Sequence, residues 1–231
     1  MLLLTEAARE PDPLRLPLRM AKALCAGMGA QGAAVTLVPH TVGAQLLCAS
    51  DAVALRLAEL QFEVGHGPGI ACAVSGEPVV VEECQHFHLL WPLFSSAVGE
   101  QLPQVQGLWA FPVLGGGEVV ATVLLYRTRP WPAHRGALQQ GMFAAQVVAG
   151  LLKHFQDTLL DDEAGPLWEP REVIDAHWLS AHRAAGALAE HLGVTAPEAL
   201  LLMRARSLRT GIPLPQLAAG IARGPASWTS D

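Results

Sequence analysis

The stretch LQFEVGHGPGIACAVSGEPV, residues 60–79, decides how this chain is read. Its first half closes a helix that starts after Asp51, a residue suited to capping it, and runs through Leu55, Leu57 and Leu60. Gly65, Gly67, Pro68 and Gly69 then fall within five positions, which predicts a loop over 65–69, because neither residue type suits the interior of regular structure. Residues 70–75 resume as a short helix ended by Gly76, and residues 78–81 follow as a strand rich in valine.

Outward from this stretch, the apolar spacing alternates between helix and strand. Upstream, Leu14, Leu16, Leu18, Met20 and Leu24 mark a leading helix that stops near Gly27 and Gly29. Two strands follow, residues 32–38 and 45–50, with a hairpin between them. Downstream come a helix over 91–101 and strands over 105–113 and 118–127, the last two joined by the triple-glycine turn 115–117. Next is one long helix over 133–160, with its stripe at Leu138, Met142, Ala145, Val148, Leu152, Phe155 and Leu159. Residues 161–166, DDEAGP, read as a linker. Beyond it the chain is all helix. Ile174, Trp178, Ala181, Ala185, Leu188 and Leu192 form one stripe, Thr195 and Glu198 form a capping box for a second helix, and a third begins near Pro215. The expected class is α+β: an antiparallel sheet flanked by helices, a long connecting helix, and a C-terminal three-helix bundle.

Bulk properties narrow the function. With 51% hydrophobic residues in 231, the chain can build a real core. No window carries the ~18–20 uncharged apolar residues of a membrane helix. Charges at Glu6, Arg9, Glu10 and Asp12 break any signal-peptide core after the leading leucines, and four unpaired-looking cysteines suit a reducing compartment. A cytoplasmic protein with no membrane partner is expected. The net charge of −6 argues against non-specific coating of nucleic acid. From Arg183 onward, however, there are 5 arginines against 3 acids and no lysine, a pattern that favours planar bidentate contacts.

Several segments carry a family resemblance. Residues 60–69 and 71–79, together with WPLF at 91–94, AFPV at 110–113 and VLLY at 123–126, resemble the GAF sensor domain in the form common in actinobacteria, across nearly all of residues 14–160. The tail resembles the ANTAR domain, a three-helix RNA-binding output module. Ala184-Ala185-Gly186 stands where that family has Ala-Lys-Gly, and Glu198, Ala199, Met203, Arg204, Ser207, Leu214 and Ala218 fall at its signature positions. The sequence departs from the patterns at Ala185 (usually basic), at Gly69 (usually Cys) and at His66 (usually acidic). The resemblance implies a GAF-like sensor over 1–163 and an ANTAR-like unit over 164–231. Together they imply a transcription antitermination regulator that senses a small molecule or redox state and binds paired hairpins in leader RNA, with no DNA partner.

On that reading RNA is met by Arg183, Gly186, Arg204, Arg206 and Arg209, since guanidinium planes stack on unpaired bases and chelate phosphates. The stripes of the long helix and of 174–192 offer surfaces for a homodimer that pairs two heads with two hairpins. A ligand pocket is sought at Trp91, Phe94, Trp109, Phe111 and Cys72, although aromatic residues in such places also serve as plain core. Cys84, His86 and His88 alternate so as to aim at one metal, but a fourth ligand is missing. Two rivals stand beside this reading. One is a protein-interaction module whose ANTAR-like part no longer binds RNA, favoured by Ala185. The other is a cysteine-based redox enzyme of GAF type, which would need a base beside its thiol. No phosphate loop, HExxH or GxSxG is present, so a non-enzyme is expected.

Overall fold

The computed structural model describes residues 16–38, 44–84, 89–154, 178–224 and 228. Five strands, β1 (Gly32–Leu37), β2 (Gln45–Ala49), β3 (Val79–Val81), β4 (Gly107–Gly115) and β5 (Glu118–Arg127), form one sheet in the order β2-β1-β5-β4-β3. Every neighbouring pair is antiparallel. Around it lie α1 (Leu16–Met28), α2 (Ala52–Val64), α3 (Pro68–Ser75), α4 (Pro92–Gln101) and α5 (Arg135–His154). Three helices follow, α6 (Ser180–Leu192), α7 (Ala196–Thr210) and α8 (Leu214–Arg223).

Strand side chains alternate between two faces. Val35, Trp109, Phe111, Val123 and Leu125 point to the back, against α1 and α5. Ala34, Leu108, Ala110, Leu124 and Tyr126 point to the front, against α2, α3 and α4. With both faces covered, β4 is buried along seven successive residues and shows no polar alternation. Asp51 caps α2 by accepting from the Val53 and Ala54 amides at 2.9 and 3.0 Å. It also receives the Ser50 hydroxyl at 2.6 Å and the Tyr126 hydroxyl at 3.2 Å, tying the cap to the sheet.

One expectation is corrected here. The helix after the glycine cluster starts at Pro68, not at residue 70, because proline at the first helical position has the right φ and no amide to lose. Parts of the apolar stripes offered as dimer surfaces pack inside the chain. Ala145 and Val148 of α5 pack on the back of the sheet, while Ala181, Ala185 and Leu188 of α6 pack among Ala199, Met203, Ala218 and Ile221 of α7 and α8. Residues 155–177, which hold the expected linker, the domain boundary and the ends of both stripes, lie outside the described residues.

The three terminal helices are well punctuated. Thr195 and Glu198 form the capping box, and the Thr195 amide and hydroxyl hold the Glu198 carboxyl below its ordinary range. Gly193 and Gly211 end α6 and α7 in the left-handed conformation. The core of this unit is continuous with the front core of the sheet domain.

Candidate functional site

The site grows from the end of α2. Gly65 stops that helix at φ +77°, and Gly67, at φ +149°, turns the chain into α3. The turn is clamped by Gln61, whose side-chain carbonyl accepts from the Gly69 amide at 2.6 Å while lying against Gly67. A Cβ at position 67 would collide with the Gln61 Cγ, so this glycine is demanded by contact as well as by φ.

In front of this turn lies a cavity of about 470 Å³. Thr36, Thr122 and Leu124 of the sheet form one wall, Gln61 and Phe62 of α2 with Ile70 and Ala73 of α3 a second, and Trp178, His182, Ala185, Leu200 and Arg204 a third. The last wall belongs to the C-terminal helices, so the cavity exists only while the two parts are docked.

Phe62 is the centre of that docking. Trp178 stacks on its ring at 4.2 Å, His182 meets its edge at 5.3 Å, and the Arg204 guanidinium carbon lies 5.2 Å from its centroid. Arg204 Nε also donates to the Phe62 carbonyl at 2.8 Å. That oxygen is among the last four of α2, without an intrahelical partner, at the negative end of the helix dipole. Gly65 leaves the guanidinium room to lie over the turn. Burial lowers the Arg204 pKa to about 10, and the group remains charged at neutral pH. His182 donates from Nε2 to the Ala44 carbonyl at 3.1 Å. Burial, with Arg204 as a lesser contributor, lowers its pKa.

This yields a pH prediction. His182 titrates at its ordinary value of 6.5 when undocked and lower when docked. The docked form therefore has its full stability above about pH 6.5 and loses it as the pH falls below, since protonation must then break the arrangement. Urea midpoints should drop between pH 7 and pH 5.5. His182→Asn should flatten much of that slope, with His66, shifted the same way by burial and by Arg204, supplying the remainder. A slope unchanged in His182→Asn would refute the assignment.

The expected site residues fall in different places. Trp91, Phe94, Trp109, Phe111 and Cys72 do not line the cavity. Trp109 and Phe111 share the strand parity that faces α1 and α5, and the Trp109 indole donates to the Trp131 carbonyl at 3.3 Å in the back core. Phe94 and Cys72 are fully buried in the front core, and Trp91 packs half-buried against it. The lining of this cavity is mixed rather than aromatic. Gln61, Thr36 and Thr122 were visible as polar residues inside apolar runs, the one signal that could have found them. Of the arginines, Arg183 and Arg209 are exposed, as is Gly186. Arg206 lies over Trp228 at 4.6 Å, and Arg204 turns inward to Phe62. Cys84 is half-buried with its thiol pKa pushed up to about 12 by burial, and His86 and His88 lie outside the described residues. Among the described residues no cluster of three His, Cys, Asp or Glu could hold a metal. No helix among them is long and apolar enough to cross a membrane.

An antiparallel five-stranded sheet with helices on both faces is the architecture of a sensory domain typical of signal-sensing regulators. The chain belongs to the GAF domain family, which its residues 18–151 match. Its fold is similar to the GAF domain of a phosphoenolpyruvate-protein phosphotransferase from Coxiella burnetii (13% identity, TM-score 0.52, covering 68% of this chain and 92% of that one). It is also similar to the corresponding domain from Acinetobacter (13% identity, TM-score 0.51, covering 69% and 93%). No curated protein matches the chain. The family match ends before α6, so the terminal helices lie beyond it.

Proposed function

We propose that this protein is a signal-responsive transcription antitermination regulator. Its GAF cavity takes a small-molecule signal and its ANTAR-like helices bind paired hairpins of a leader RNA, as a homodimer with one head for each hairpin. The observation that carries this reading is the position of Arg204. A side chain at an ANTAR signature position donates to the Phe62 carbonyl of the sensor domain, so one guanidinium serves either docking or RNA. The docked form is then the RNA-free form. A ligand that needs all three walls of the cavity stabilises it and weakens RNA binding by linkage. Exposed Arg183 offers its guanidinium to phosphates or bases, and Arg209 is likewise on the surface.

A non-enzymatic role is part of the proposal. The thiols of Cys48, Cys72 and Cys84 are pushed up to about 12 by burial, which leaves little thiolate for nucleophilic or redox chemistry at neutral pH.

One observation favours the rival interaction module. Ala185, where the ANTAR family has a basic residue, is 1% exposed and lines the cavity, so its small size serves docking. Electrophoretic shifts with twin-hairpin leaders from the adjacent operon decide between the two. The regulator requires a shift with wild type that is lost in Arg183→Ala/Arg209→Ala. Absence of any shift at modest salt, with wild type and with an undocked variant, overturns RNA binding and leaves the interaction module.

A further inference from the structure

Among the described residues, the cavity wall carries one cation, Arg204, and no carboxylate. Trp178 is 3% exposed, and its indole N–H is buried without a hydrogen-bond partner. Arg204 uses Nε on the Phe62 carbonyl, and among the described residues no carboxylate pairs with it. The two carboxylates of α2, Glu59 and Glu63, are held instead by Arg56, at 3.0 and 2.8 Å. Thr36 and Thr122 lie directly opposite each other on β1 and β5 and add two hydroxyls to the cavity wall. A cation in a largely apolar wall with no facing carboxylate is matched by a ligand that brings the opposite charge. The rest of the lining, including Ile70, Leu124 and Leu200, is apolar, and about 470 Å³ is within the ~300–1,000 Å³ range of small-molecule sites.

We propose that the cavity is a binding site for an amphipathic monocarboxylate, with its carboxylate on the Arg204 guanidinium and its apolar body against Ile70, Leu124 and Leu200. The guanidinium fork matches the two oxygens of a carboxylate. One cation in an apolar cavity compensates one negative charge, whereas a dianionic phosphate would bring a second charge out of water with no partner. A neutral apolar molecule would leave the Arg204 guanidinium without a counter-charge. The lowered pKa values of His182 and His66, each partly due to Arg204, are consistent with positive potential at this end of the cavity. The ligand thereby touches both the sensor domain and the output helices. The assignment rests on the cavity serving as the signal site, as proposed above, and adds the chemistry of the signal.

Calorimetric titration of the full chain, without RNA, tests it with decanoate, 1-decanol and decyl phosphate as probes. Decanoate should bind at least about tenfold more tightly than either of the others. The preference over 1-decanol should collapse toward unity in Arg204→Gln, be partly restored in Arg204→Lys, and persist in Arg183→Gln. Because Arg204→Gln also loosens docking, Ala73→Phe provides the second arm. It keeps the guanidinium and places a ring in the cavity wall, and should weaken decanoate about tenfold or more with an unchanged circular dichroism spectrum. Equal binding of decanoate and 1-decanol, an undiminished preference in Arg204→Gln, or full affinity in Ala73→Phe would each overturn the site. Since no RNA is present, a missing leader shift beside normal decanoate binding removes only the RNA reading. The reverse result removes only this one.

Discussion

Phe62→Ala is expected to release the C-terminal helices from the sensor domain while the sheet stays folded. One buried ring supports the Trp178 stack, the edge contact of His182 and the Arg204 guanidinium, so its removal strips the docking surface of its centre. Truncating a buried phenylalanine costs about 3–5 kcal/mol. Part of that loss falls on the front core, which Phe62 also joins. If about 3 kcal/mol falls on docking, amide exchange in α7 should accelerate about a hundredfold, with α5 and β4 little changed. In the regulator proposed here, the same variant should shift leader RNA at lower protein concentration than wild type, because Arg204 no longer serves the sensor domain. Phe62→Leu, which keeps most of the volume, should do far less. Exchange that rises equally in β4 and α7 would show Phe62 to be ordinary core and would remove the docking argument.

Gly141→Ala should destabilise the protein although alanine is the better helix former. Gly141 sits within α5, where the intrinsic gain from alanine is at most about 1 kcal/mol. A Cβ there, however, would fall on the Phe111 ring, meeting Cζ, Cε1 and Cε2 together. Phe111 is fully buried and meets Trp109 edge-on at 6.1 Å, and Trp109 stacks on Trp131 at 4.2 Å, so the ring has no free direction in which to retreat. Overpacking of this kind costs about 1–3 kcal/mol, which exceeds the helix gain. Gly141→Val should be worse. Gly186→Ala is the matching control: it is also within a helix, but a Cβ there meets nothing within 4 Å, so it should stabilise by up to about 1 kcal/mol. Chemical denaturation of the three variants checks the signs. A stabilised Gly141→Ala would mean that α5 does not lie this close to β4.

Both predictions depend on contacts between segments far apart in the chain, and these were the least legible part of the sequence. Local features were read correctly where one residue and its neighbours decide them. Asp51 caps α2, Thr195 and Glu198 box the start of α7, and the triple glycine after β4 makes a hairpin. The start of α3 was misplaced by two residues because Pro68 and Gly69 were weighed as breakers, when proline in a first turn is a helix starter. The aromatic residues offered as a pocket lie away from the cavity for another reason. Residue type marks Trp109 and Phe111 as important, but only their parity against two buried faces decides which layer receives them.

The amino-acid pattern alone determined the order of helices and strands, because periodicity, caps and turn residues act over a few neighbouring positions. The class of sensor domain came through the resemblance of residues 60–79 and the segments after them to the GAF family. The resemblance to the ANTAR family also offered Arg204 as a candidate RNA contact. What it could not decide was the direction in which that side chain turns. The tertiary structure settles this by packing the helices that begin near residue 180 onto the end of α2, where an unpaired helix carbonyl and the open space above Gly65 receive the guanidinium. That meeting joins residues 142 positions apart. No local rule encodes such a pairing; it follows from two apolar surfaces being buried against each other once both have folded.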